Sequence, residues 1–118
     1  MMKNGYGKII NLSSTSGLHD QNPGTADYAM SKLALQALTK DLSRKYAPTI
    51  NVNAVAPGWV NTDMNTDLPM EFVESETAKY HMKRWASAQE IADVVVYLAS
   101  DKASYITGQI ILLDGGHC

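Results

Sequence analysis

Cysteine is nearly absent. The 118-residue chain has one, Cys118, so it forms no internal disulfide and gives no reason to expect an oxidising compartment. No apolar run approaches the roughly 20 residues of a membrane span. The opening Met1-Met2-Lys3-Asn4-Gly5-Tyr6-Gly7 lacks the apolar core of a secretion signal. An excess of positive charge is missing too: the formal net charge is −2, which speaks against a nucleic-acid or anionic-membrane binder. The histidines His19, His81 and His117 share no metal-ligand spacing with Cys118 or with carboxylates, so no metal site is expected and each is read as a surface residue. Repeats, low-complexity tracts and linkers are lacking. What the chain does have is 45% hydrophobic and 19% charged residues, too apolar for disorder, in a length that allows one domain at most. The expectation is a globular protein of the cytoplasm.

Strand-like and helix-like patterns alternate along the chain. Lys8-Ile9-Ile10-Asn11-Leu12-Ser13 is a short apolar run with β-branched residues between Gly7 and a Ser/Thr/Gly cluster, which predicts a buried strand ending in a loop. Residues 14–24 are polar and contain the turn signal Asn22-Pro23-Gly24. From about 26 to 47 the pattern is helical. Leu35, Leu38 and Leu42 fall at i, i+3 and i+7, Thr25 or Asp27 stands where a cap belongs, and Pro48 ends the run. A second strand is expected at 50–55, stopped by Pro57-Gly58. Residues 59–68 show no clear period, and Pro69 fits the first position of a weakly amphipathic helix running to about Lys83. Ser87, three residues before Glu90, forms a capping box for a helix whose apolar stripe is Ile91, Val94, Val95 and Leu98. A last strand at 109–113 ends in Asp114-Gly115-Gly116, a turn. Crossovers of this length imply parallel strands, three of them in the order they occur, in an α/β fold with flanking helices. Parallel sheets are covered by helices on both faces, and three strands with three helices are few for that.

Tyr28-Ala29-Met30-Ser31-Lys32 is the most distinctive local feature. Tyr28 and Lys32 lie four residues apart near a helix start, on one face. An ammonium beside a phenol favours the phenolate, so such a tyrosine can give a proton to an oxygen or take one. The same pairing is common on solvated helix faces. Ser13-Ser14-Thr15-Ser16-Gly17 lies just past the carboxyl end of a strand, where ligands sit in open α/β sheets. A serine there hydrogen-bonds a substrate oxygen or satisfies its own turn. The next strand ends in Ala54-Val55-Ala56-Pro57-Gly58-Trp59-Val60-Asn61-Thr62, so two strand ends carry specialised loops that can share one cleft.

Taken in order, these blocks resemble the short-chain dehydrogenase/reductase family over nearly the whole chain. Ile9-Ile10-Asn11-Leu12-Ser13-Ser14 looks like the strand that delivers the family's catalytic serine, and Tyr28-Ala29-Met30-Ser31-Lys32 like its Tyr-x-x-x-Lys signature. Asn51-Val52-Asn53-Ala54-Val55-Ala56-Pro57-Gly58 with Thr62-Asp63-Met64 is similar to its Pro-Gly cofactor loop. Lys83-Arg84-Trp85, Glu90-Ile91-Ala92 and Thr107-Gly108-Gln109 through Asp114-Gly115-Gly116 look like its carboxyl-terminal end. The resemblance implies the C-terminal half of a Rossmann-like, doubly wound parallel sheet. It also implies hydride transfer between NADP or NAD and a small carbonyl or alcohol substrate such as a 3-oxoacyl thioester. Tyr28 would be the acid/base, Lys32 would tune it and hold the nicotinamide ribose, and Ser14 would orient the substrate oxygen, with Ser13 and Ser16 as alternatives. Pro57, Gly58, Val60 and Thr62 would contact the carboxamide and the phosphates. Trp59 would flank the nicotinamide or pack under its loop. Residues 65–82 would form the substrate lid, and methionines such as Met64, Met70 and Met82 would line it or fill the core. The segment from Ser14 to Tyr28 is one residue longer than the commonest family spacing, the extra residue falling in Leu18-His19-Asp20-Gln21 at the substrate mouth. The substrate segments look like those of 3-oxoacyl-carrier-protein reductases and of sugar or polyol dehydrogenases. The full-length family form is expected to be a homo-oligomer.

The family's glycine-rich turn, which binds the cofactor pyrophosphate after a first strand, has no counterpart, because Gly5-Tyr6-Gly7 precedes a strand. The residue that selects NAD over NADP, the Asn-Asn-Ala-Gly type segment and the family's catalytic asparagine are not found either. The doubly wound fold has two halves and about twice this length. Residues 1–118 are therefore expected to be a partial domain that lacks the N-terminal dinucleotide-binding half and is inactive alone. The alternatives are a catalytically silent fragment or an interaction module that pairs with a full-length relative.

Overall fold

The computed structural model describes residues 1–19 and 22–117, so Asp20 and Gln21 of the lengthened loop, and Cys118, lie outside the described residues. In chain order the elements are β1 (Gly7–Leu12), α1 (Ala26–Tyr46), β2 (Ile50–Pro57), β3 (Val60–Asn61), α2 (Met70–Ala78), β4 (Ala86–Ser87), α3 (Ala88–Ala99) and β5 (Ile110–Leu113). Short 3-10 turns lie at Met2–Asn4, Pro23–Thr25, Asp63–Asn65 and Asp101–Ala103. β1, β2 and β5 form one parallel sheet in that order, with Gly7 opposite Ile50, Leu12 opposite Val55 and Pro57 opposite Leu113. This is the expected arrangement of three parallel strands in chain order.

β2 is the middle strand and is buried on both faces, which is why Val52, Ala54, Val55 and Ala56 are all small or β-branched and all inaccessible. Alternation along β1 assigns its faces. Ile10 packs into the core of Val55, Leu98 and Ala103 with Ile91, Val94 and Val95 of α3, whereas Asn11 points to α1 and donates to Thr39 Oγ1 at 2.9 Å. Leu98 is the largest side chain that is fully buried. Leu98→Ala is expected to cost about 2–5 kcal/mol of stability in chemical denaturation. A loss below about 1 kcal/mol would mean that the sheet face is not closed by α3.

Of the α1 leucines at i, i+3 and i+7, Leu35 and Leu42 are half-buried and Leu38 is 47% exposed, while the fully buried residues of the helix are Gln36, Thr39 and Ser43. Close approach and hydrogen bonding decide this. Thr39 Oγ1 donates to Leu35 O at 2.8 Å while accepting from Asn11. Ser43 lies so near Gly108 that a Cβ there would come within 2.7 Å of its Oγ. Thr25 occupies the N-cap of α1 without a side-chain capping bond, and the preceding turn is held instead by Asn22, whose Oδ1 accepts from Gly24 N at 2.9 Å.

α2 stops at Ala78, short of the expected Lys83, because a tertiary partner takes the next residues. Tyr80 bridges antiparallel to His117, and His81 N and Met82 N donate to Gly116 O and Gly115 O at 3.2 and 3.1 Å. The two-residue strands β3 and β4 pair in parallel, Val60 with Ala86 and Asn61 with Ser87, in segments too short to show a period. Among the described residues, no helix is long and apolar enough to cross a membrane.

The capping box at the start of α3 forms as predicted, with Ser87 Oγ accepting from Glu90 N at 3.2 Å and Ser87 N donating to Glu90 Oε2 at 2.8 Å. Arg84 adds a two-pronged clamp on the same carboxylate at 2.8 and 2.6 Å. The guanidinium first, and then the Ser87 N–H, hold the Glu90 carboxyl down to about 2. A carboxyl with a lowered folded-state pKa contributes stability that is complete above its unfolded value of 4.5 and is lost as pH falls toward 2. Glu90→Gln should therefore be less stable than the parent at neutral pH, with the gap narrowing steadily below pH 4.5. Denaturation midpoints across that range check it, and a gap independent of pH would exclude the clamp.

Candidate active site

Backbone pairing between β1 and β2 continues past the end of β1. Ser13 N donates to Val55 O at 2.8 Å and Thr15 N to Pro57 O at 3.0 Å, so the loop after β1 is drawn alongside the end of β2. Gly58 N donates to Leu113 O at 3.1 Å, tying in β5. The carboxyl ends of all three strands thus form one edge.

The three candidate serines have different fates on this edge. Ser13 is buried, its Oγ donating to Lys32 O at 2.9 Å and accepting from Gln36 Nε2 at 3.0 Å, so its hydroxyl is committed to α1. Ser14 Oγ accepts from Ser16 N at 3.0 Å, which leaves its O–H to donate into the cleft that both residues line. Tyr28 sits in the first turn of α1 and is 47% exposed. One turn on, Lys32 donates from Nζ to Leu12 O at 3.0 Å, and that ammonium lies 5.6 Å from the centre of the Tyr28 ring. Helical spacing places the pair on one face, and the last carbonyl of β1 holds the ammonium there.

Pro57 and Gly58 end β2, Val60 begins β3 and Thr62 follows it; Asn65 Nδ2 braces this turn by donating to Val60 O at 2.8 Å. Ser14, Tyr28, Lys32, Pro57, Gly58, Val60 and Thr62 all line a single cleft of about 830 Å³. All of the site residues expected from the sequence are therefore brought together. The cleft is also lined by Trp59, Met64, Phe72, Glu76 and Tyr80, of which Phe72, Glu76 and Tyr80 had no signal in the sequence beyond their place in the lid segment. Trp59 lines the cleft and also stacks on Trp85, with ring centres 5.1 Å apart and planes 18° apart. The methionines do not fill the core: Met64 is 91% exposed at the cleft, and Met70 and Met82 are exposed as well.

The histidines are more connected than the sequence suggested. His19 lies 3.2 Å from an Asp114 carboxylate oxygen and stacks on His117 at 5.2 Å, so the substrate-mouth loop meets the segment after β5. Among the described residues no group of three or more His, Cys, Asp or Glu is arranged to hold a metal ion.

A family model described as Enoyl-(Acyl carrier protein) reductase matches residues 1–117. The chain belongs to the short-chain dehydrogenase/reductase family. This dehydrogenase/reductase chain is 45% identical over 117 residues to a 3-oxoacyl-[acyl-carrier-protein] reductase of Rickettsia felis, covering 98% of this chain and 48% of that protein. Its structure resembles a 3-oxoacyl-[acyl-carrier protein] reductase of Brucella melitensis with a TM-score of 0.93 and 34% identity, covering 99% of this chain and 44% of that one. It also resembles a gluconate 5-dehydrogenase of Burkholderia cenocepacia solved in complex with NADP and tartrate, with a TM-score of 0.88 and 31% identity, covering 97% of this chain and 46% of that one. The dehydrogenase/reductase chain thus spans about half the length of the relatives it matches. Its parallel sheet with flanking helices is the expected Rossmann-like fold fragment of this family.

Proposed function

We propose that this chain carries the catalytic face of an NAD(P)-dependent oxidoreductase that moves a hydride between a nicotinamide and a carbonyl or alcohol, with a 3-oxoacyl thioester as the substrate class. The observation that carries this reading is the convergence of Ser14, Tyr28 and Lys32 on one cleft at the carboxyl edge of a parallel sheet. In reduction, the Tyr28 hydroxyl gives its proton to the carbonyl oxygen; in oxidation, it takes the proton back from the alcohol. Ser14 donates a hydrogen bond to the same oxygen. The Lys32 ammonium is held by Leu12 O at 3.0 Å and lies 5.6 Å from the centre of the Tyr28 ring.

The donors present fit the nicotinamide–ribose end of NADP or NAD. Lys32 has three ammonium hydrogens, of which one is used on Leu12 O, and the others suit ribose hydroxyls. Pro57, Gly58, Val60 and Thr62 supply the wall for the carboxamide side. A bound nicotinamide supplies or accepts the hydride, which no side chain can do. The pyrophosphate end has no matching cradle: Gly5 closes the turn Met2–Asn4 and Gly7 opens β1, so neither follows a strand. Residues 1–118 are accordingly read as a partial domain, completed by a glycine-rich half and placed in the cytoplasm.

The apolar wall of Trp59, Met64 and Phe72 favours an acyl chain over a sugar. The test is to join the chain to the glycine-rich half of the Rickettsia felis reductase and follow NADPH or NADH oxidation with a short 3-oxoacyl thioester. Thioester-dependent oxidation is expected. A fusion that folds and binds cofactor but reduces only sugars or polyols would overturn the substrate class.

A further inference from the structure

The cleft lining contains an unusual restraint at Trp59. Trp59 lines two cavities, the main cleft and a smaller one of about 180 Å³ shared with Tyr80, Met82, Ile91 and Leu113. A side chain with open space on two sides needs a tether to hold one position, and five residues in contact with Trp59 provide it. The Trp59 indole N–H donates to Glu76 Oε2 at 3.1 Å, and the other carboxylate oxygen of Glu76 accepts from Lys79 Nζ at 2.6 Å. The Trp59 backbone N–H donates to Tyr80 Oη at 3.1 Å, and its carbonyl accepts from Ala86 N at 3.1 Å. The ring is stacked on Trp85 and meets the edge of Phe72 at 5.6 Å. The Tyr80 hydroxyl is so close to Gly58 that a Cβ there would come within 2.8 Å of it.

Glu76 is the only acid in this set and is 9% exposed. A carboxylate is costly to bury unless its oxygens are bonded, and here one oxygen goes to a lysine and the other to the indole. We propose that Glu76 is a positioning residue: through the Trp59 indole it locks α2 to the turn at Pro57, Gly58 and Val60, fixing the wall of the cleft against which the nicotinamide lies. The nicotinamide part of this rests on the function proposed above; the tether itself does not.

Trp59 and Trp85 are the only tryptophans in the chain, so two indole N–H signals are expected, of which that of Trp59 reads the Glu76 contact. The 118-residue chain is compared with Glu76→Ala and Glu76→Gln. Gln keeps an acceptor for the indole N–H and removes the charge. In proton–nitrogen NMR the Trp59 indole proton should exchange slowly in the parent and in Glu76→Gln, and rapidly in Glu76→Ala. The circular-dichroism couplet of the stacked indoles should be kept in the first two and lost in the third, with helix content unchanged in all. Reduced nicotinamide mononucleotide, titrated by tryptophan quenching, should bind about tenfold more weakly to Glu76→Ala and within about twofold of the parent to Glu76→Gln. Fast exchange of the Trp59 indole proton in the parent overturns the tether even if Glu76→Ala does not fold. Equal nucleotide affinity in all three folded proteins overturns the positioning role. A parent that shows slow exchange but no quenching at any concentration leaves the tether standing and sinks the nicotinamide reading of the cleft.

Discussion

Tyr28→Phe, in the chain joined to a glycine-rich half, is expected to lower the rate of carbonyl reduction by about 10²–10⁴-fold and to leave cofactor affinity within about twofold. Phe keeps the ring against which the Lys32 ammonium lies and removes only the proton that must move. Lys32→Met is expected to harm both rate and affinity, because one ammonium serves the phenol and the ribose hydroxyls. Loss of its bond to Leu12 O also frees the end of β1. Ser14→Ala should raise the barrier with little change in cofactor binding, whereas Ser13→Ala should act on stability, since its hydroxyl joins Gln36 to the Lys32 carbonyl. Steady-state kinetics with separate cofactor titrations distinguish these outcomes. Near-normal turnover in Tyr28→Phe would exclude the mechanism.

The second large effect concerns the chain by itself. The 118-residue protein is expected to bind NADH or NADPH only at millimolar concentrations, and to leave a 3-oxoacyl thioester unreduced. A pyrophosphate is normally held by backbone N–H donors at a helix start, and hydrogen bonds to such charged groups contribute roughly 1.5–3 kcal/mol each. Without two or three of them, binding weakens by about 3–9 kcal/mol, which moves a micromolar site to millimolar or beyond. On the proposed function, the contacts that remain would reach only the nicotinamide end, at Lys32, Pro57, Gly58, Val60 and Thr62, which line the cleft. Titration with both reduced cofactors, followed by fluorescence and thermal shift, decides it. A low-micromolar dissociation constant would show that another copy of the chain, or a rearranged one, supplies the phosphate site.

Much of this molecule could be read from local patterns. A short apolar run bounded by turn residues at 8–13, a second at 50–55 stopped by Pro57-Gly58, and a period of 3.6 beyond Ala88 are properties of neighbouring residues, so strands, helix and capping box needed no knowledge of the fold. Tyr28 and Lys32 share a face because a helix puts residues four apart together, whatever surrounds it. The parallel sheet followed from crossover length. Other features depend on partners distant in sequence. Ser13, Ser14 and Ser16 are alike as letters, and only the placement of Gln36 and the Lys32 carbonyl commits Ser13 to the helix and leaves Ser14 at the cleft. Gln36, Thr39 and Ser43 are the buried residues of α1, which leucine spacing does not reveal, because a helix lying close to Asn11 and Gly108 needs small or bonded groups. The end of α2 was misplaced because the backbone of residues 81–82 bonds to Gly115 and Gly116. Glu76 and Trp59 are 17 residues apart, with no period or motif to link them. The sequence alone determined most of the elements and the shared helix face of Tyr28 and Lys32, since those follow from short-range geometry; the tertiary structure decided which serine hydroxyl is committed to α1, which residues of α1 are buried and which residues line the cleft, since those follow from contacts that only folding makes.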